Sequence, residues 1–160
     1  MLALSGEPIE VRYQADLIDT VGNPAHAATF IRERIIILDK QLYRDKREHD
    51  RILIHELFHF VWVRLGNRRR LDWEALLRAE MRARTRGEMG WSAEWRKRGL
   101  SARDVDARTR AWREYCCESF CDTASWLFGG AAEEVTLALG RRALRKHWYF
   151  RHILRRDLPI

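Results

Sequence analysis

Residues 51–60 read RILIHELFHF, and no other stretch of the chain limits its fold so tightly. His55, Glu56 and His59 sit among Ile52, Leu53, Ile54, Leu57, Phe58 and Phe60, with Val61 and Trp62 following. An apolar run of this kind is buried, and a buried polar group is destabilising unless it finds a partner. Any fold adopted by this chain has to bring partners for three polar groups to one decade of residues.

On a helix, residues four apart differ by about 40° around the axis and about 6 Å along it. His55 and His59 therefore leave the same face, and both imidazoles can converge on one ion with Glu56 beside them. Neutral imidazole nitrogen suits Zn²⁺, and HExxH is the spacing in which two His bind zinc while the Glu acts as general base. The plainer alternative is a pair of ordinary helix histidines hydrogen-bonded to carboxylates.

Two imidazoles leave a zinc site incomplete. HELFHFVWVRLGN holds no third His, so the HExxHxxGxxH pattern is absent. Residues 111–128, AWREYCCESFCDTASWLF, place Glu114, Glu118, Asp122 and Ser125 at three- or four-residue steps. That spacing makes a polar seam on a helix whose other sides carry Trp112, Tyr115, Phe120, Trp126 and Leu127. From Glu114 to Phe128 there is no Lys or Arg. An acidic seam without a counter-charge points to a cation supplied from outside, a metal.

HExxH on one helix and ExxxD on a later one resembles the gluzincin metallopeptidases. The resemblance implies His55, His59 and Glu118 as zinc ligands, Asp122 as the residue orienting a ligating His, and Glu56 as general base and then general acid. It also implies a zinc-activated water that hydrolyses a peptide bond. A β-hairpin leading straight into the HExxH helix is similar to the small bacterial ImmA/IrrE-type metallopeptidases. In those a run like ExxAxxFA aligns with Glu114 to Cys121, which would make Glu114 the third ligand instead. The stretch between the two helices is longer than that type carries. The resemblance further implies that Ala28 to Glu33 forms a cleft edge pairing with extended substrate; an ordinary hairpin strand is the other reading. Tyr149, His147 and His152 are candidates for steadying an oxyanion.

Around these two helices the pattern is α+β. IEVRYQADL (9–17) reads as a strand, VGNPAH (21–26) as a turn, and ATFI and IIIL within 28–39 as a hairpin bent near Arg32, Glu33 and Arg34. Three short strands need helices on one face. Helical patterning begins near Glu48 and runs to Gly66-Asn67, then returns at 71–85 and 92–99. Ser101 with Asp104 is a capping signal opening one long helix through the acidic seam to Gly129-Gly130. One or two more helices are expected from Ala131 to Asp157, breaking near Gly140. The expectation is a small antiparallel or mixed N-terminal sheet on an HExxH helix, with a helix-rich C-terminal part, zincin-like, as one domain over 1–160.

Charge bears on partners rather than fold. The net charge of +7 is mostly Arg, and RRALRKHWYFRHILRRD interleaves cations with aromatics. That tail reads as an amphipathic helix packing Leu144, Trp148, Ile153 and Leu154 inward, as a surface for nucleic acid or an acidic partner, or as an autoinhibitory segment. Arg68-Arg69-Arg70 reads as loop. Cys116, Cys117 and Cys121 are crowded and odd in number, unlike a secreted disulfide framework, and read as core packing. No long apolar run suggests a membrane span, and MLALSGEPIE lacks the pattern of a secretory leader. A cytoplasmic metallopeptidase acting on a peptide or protein is the expectation. A basic binding module with a structural or vestigial zinc site is the alternative.

Overall fold

The computed structural model describes residues 4–19, 22–130, 135–154 and 158–160. Val21, Ala131 and Asp157, which bound the expected turn and tail, lie outside them. Strand β2 (Glu10–Gln14) alternates exposed and half-buried residues, with Val11 and Tyr13 turned inward. Strands β3 (Ala27–Phe30) and β4 (Ile35–Asp39) form the expected hairpin, pairing antiparallel from Ala27 opposite Leu38 to Phe30 opposite Ile35. Arg34 takes φ 57° at the bend. The other edge of β4 pairs in parallel with β2, so the sheet runs β2-β4-β3 and is mixed. Two short strands, β1 (Leu4–Ser5) and β5 (Leu158–Pro159), pair separately in parallel.

A 3-10 turn over Lys40–Arg44 carries the chain from β4 into α1 (Lys46–Arg64). Asp45 caps α1 by accepting from the Arg47 and Glu48 N–H groups, so the helix starts before its apolar pattern does. Ile52 and Phe60 join Ile36, Leu38 and Leu42 under the sheet. Phe58, Val61 and Trp62 face the opposite way, into a core with Trp73, Trp112, Phe120, Trp148 and Tyr149. Helix α1 is therefore clad on two sides, which explains why its apolar residues run on without a polar stripe.

Helix α2 (Asn67–Arg82) begins at once after Gly66, whose φ is 78°. Arg68-Arg69-Arg70 thus forms its first turn rather than a loop; Arg is a good helix former and needs no burial there. Helix α3 is Trp91–Arg98. The long helix expected from Ser101 is two helices instead. Ser101 and Asp104 do make a capping box, but α4 (Ala102–Asp106) stops, Arg108 adopts φ 49°, and Thr109 caps a new helix, α5 (Arg110–Phe128). The Arg108 guanidinium reaches the buried Glu74 carboxylate at 2.7 and 2.8 Å, a pairing that the bend makes possible. Helix α6 spans Leu139–His152, so Gly140 falls in its first turn and does not break it.

Helices α1 and α5 lie antiparallel and meet turn by turn. Ser125 Oγ donates to the Arg51 carbonyl at 2.8 Å, His55 meets Glu118 and Asp122, and His59 meets Cys117. At the end of this ladder a Cβ on Gly129 would stand 2.7 Å from Arg51 Cα, so glycine lets the two backbones touch.

Candidate metal centre

Helix α1 puts His55 and His59 on one face, ring centroids 5.1 Å apart, as the four-residue spacing requires. Helix α5 lays its acidic seam across them. His55 is gripped at both nitrogens: Nδ1 is 2.9 Å from Asp122 Oδ1 and Nε2 is 3.2 Å from Glu118 Oε2. With Asp122 holding Nδ1, Nε2 is the atom His55 can offer an ion. His59 Nδ1 lies 3.4 Å from Cys117 Sγ, leaving its Nε2 in the same way.

Glu114 sits one turn earlier, exposed and paired with Arg110 at 2.6 Å. It is off the cluster, so of the two carboxylates weighed as third ligand only Glu118 meets an imidazole. Glu118 does not stand without counter-charge, as the seam suggested. Arg96 of α3 approaches its other oxygen at 3.4 Å. Burial opposes charge on Glu118, but His55, His59 and Arg96 bring its carboxyl down to about 2. Burial likewise opposes charge on His55, yet Asp122 and Glu118 hold its proton well above the ordinary imidazole range. The donor types suit a divalent ion: Glu118 meets the Nε2 edge of His55, with Asp122 on the opposite nitrogen and the His59 ring alongside.

Glu56 lies close enough for its charge to act on both His55 and His59. Its Oε2 accepts from Thr29 Oγ1 of β3 at 2.6 Å, which fixes the carboxylate against the edge strand. Nothing in the sequence pattern singles out Thr29, because the contact arises from sheet packing. The same holds for Gly90, just before α3: a Cβ there would stand 2.5–2.7 Å from the Asp122 carboxylate group. Asp122 Oδ2 also accepts from the Ala93 N–H at 3.0 Å.

The cysteines pack as core residues, as expected: Cys116 and Cys121 are wholly buried and Cys117 packs against the same core. In addition Cys117 touches His59, and Cys121 lies against the two imidazoles. One donor atom from each of His55, His59 and Cys121 lies within 4.8 Å of the other two. The Cys117 thiol is pulled down by a hydrogen bond from Cys121 and by His59, against burial; burial pushes the Cys121 thiol up, with Cys117 adding to it. The four-residue spacing of Cys117 and Cys121 on α5 sets them on either side of Glu118, the one sequence signal that points to them.

The oxyanion candidates are elsewhere. Tyr149 is fully buried and its hydroxyl donates to the Phe120 carbonyl. His147 and His152 line a cavity between α2 and α6 with Leu76, Leu144 and Arg151. In the tail helix Trp148 and Ile153 pack inward as expected, whereas Leu144 is half exposed and Arg145 is wholly buried. No helix among the described residues is long and apolar enough to cross a membrane. No family model, curated protein or solved structure matches this chain.

Proposed function

We propose that this chain is a cytoplasmic zinc-dependent metallopeptidase of the gluzincin type, folded as one zincin-like domain. The observation that carries the reading is His55 held between Asp122 and Glu118, with the His59 ring alongside. His55, His59 and Glu118 would hold the ion, and Asp122 on Nδ1 of His55 would leave Nε2 as its donor atom. Bound zinc supplies Lewis acidity and brings the pKa of water toward 7. With the ion bound, Glu56 would serve as general base and then general acid, and Thr29 holds its carboxylate beside β3. In the β2-β4-β3 order β3 is an edge strand, so an extended substrate peptide can add to it within reach of Glu56. Arg96 adds positive charge beside Glu118, on the side of α3.

Purified protein is expected to hold about one equivalent of zinc. Glu118→Ala loses it and Glu114→Ala keeps it; equal retention in the two removes the ligand assignment. Glu56→Gln keeps the metal and abolishes hydrolysis of an unstructured protein such as labelled casein. Normal cleavage by that variant removes the proposed base.

A second reading has an observation of its own. Cys121 within reach of both histidines adds a thiol donor, and with Glu118 against His55 it would complete a closed set of the kind structural zinc sites use. The chain would then be a basic module that binds nucleic acid or an acidic partner. Salt-sensitive binding to DNA or RNA, unchanged by Glu56→Gln and without any cleavage, would favour it.

A further inference from the structure

We infer that Cys121 is a metal ligand, and that its thiolate caps the site in the resting protein. The inference rests on the metal-centre reading above and extends it from a three-residue to a four-residue donor set. Cys121 projects from α5 between Glu118 and Asp122 levels, is fully buried, and presents a donor atom within 4.8 Å of one on each of His55 and His59. A tetrahedral zinc with bonds of about 2.0–2.3 Å sets its ligand atoms roughly 3.3–3.8 Å apart. The three donors therefore need only small side-chain shifts to share an ion, and Glu118 at 3.2 Å from His55 is already at that spacing. Sulfur beside two imidazoles is a donor set that prefers zinc to magnesium or calcium.

Binding forms one sulfur–metal bond and releases the thiol proton to solvent. A fourth protein donor occupies the place that water needs, so hydrolysis requires the thiolate to leave first. Cys117, one turn back on α5, lies 3.4 Å from His59 Nδ1 and falls outside the three-residue group of donors.

Cobalt chloride titrated into the metal-free protein tests this, because cobalt bound to thiolate gives a near-ultraviolet charge-transfer band. The wild-type protein and Cys117→Ser should show the band, while Cys121→Ser and Cys121→Ala should bind cobalt without it. In Cys121→Ala zinc binds about 100-fold more weakly, the upper end of the loss expected even from an outer partner of such a site, and casein cleavage per bound zinc rises. Circular dichroism confirms that each variant folds. Cobalt visible by its d–d absorption with no thiolate band in the wild type overturns the role of Cys121 and leaves the metal centre standing. Loss of the band in Cys117→Ser alone moves the donor to Cys117 and also overturns it. Failure of wild-type protein to bind cobalt or zinc at all overturns the metal-centre reading itself.

Discussion

Asp122 divides its two oxygens between two tasks. Oδ1 holds His55 Nδ1, and Oδ2 takes the Ala93 N–H in the first turn of α3. The carboxylate therefore ties the imidazole to a third helix, and it fits only because Gly90 has no side chain. The φ of Gly90 is −165°, open to any residue, so the constraint there is space alone. Gly90→Ala should displace Asp122 and weaken zinc binding about 10-fold or more, the loss typical of a disturbed outer partner. Competitive titration with a chromophoric chelator measures it. Asp122→Ala should do the same, and unchanged affinity in both would show that His55 needs no orienting group. His55, Glu56, His59, Glu118 and Asp122 were legible in the sequence because helical spacing is a local rule. Thr29, Gly90 and Arg96 were not, since each reaches the cluster only through packing of β3 or α3.

Elements tell a similar story at their ends. The Ser101–Asp104 box was readable, and so was the helical period through the acidic seam, yet the chain breaks between them. Arg108 bends out to Glu74, and Trp112 Nε1 donates to the same carboxylate at 3.2 Å. Those are contacts with α2, more than thirty residues away, and no local pattern announces them. Thr109 restarts the helix: its hydroxyl oxygen accepts from the Trp112 N–H and donates to Asp104 Oδ1 at 2.7 Å. Thr109→Ala should cost about 1 kcal/mol in urea unfolding. A loss near zero would mean that packing alone sets the start of α5. The strands were found with the correct hairpin, but the parallel pairing of β2 to β4 was not, because alternation shows which face is buried and not which neighbour pairs.

At the scale of the molecule one buried cation ties the helices together. Arg145 of α6 is fully buried and meets Glu80 of α2 at 2.6 Å and Glu88, before α3, at 2.6 Å; Tyr115 of α5 also donates to Glu88. Such a network is costly to bury and costlier to break. Arg145→Ala strands two carboxylates in the core and should lose about 3–5 kcal/mol of stability. Burial works to raise the Glu88 pKa, but Arg145 and Lys97 overrule it and hold the carboxyl at about 2, against an ordinary 4.5. Its folded pKa is the lower one, so its contribution is complete above pH 4.5 and disappears as pH falls from there toward 2. The shift corresponds to roughly 3 kcal/mol. Thermal melts between pH 6 and pH 2.5 should show this decline, and Arg145→Ala should flatten it. An equally steep decline in the variant would place the acid sensitivity elsewhere.

The rungs between α1 and α5 also govern which changes of length a gene for this protein tolerates. Losing or gaining one residue turns everything beyond it by about 100° about the helix axis. A single codon removed between Cys117 and Ser125 would swing Asp122 away from His55 or Ser125 away from Arg51, whatever the new side chain. Length variants should therefore survive a library screen at 84–86, in the turn after α2 where Arg84 and Arg86 are exposed, and be purged from 117–125.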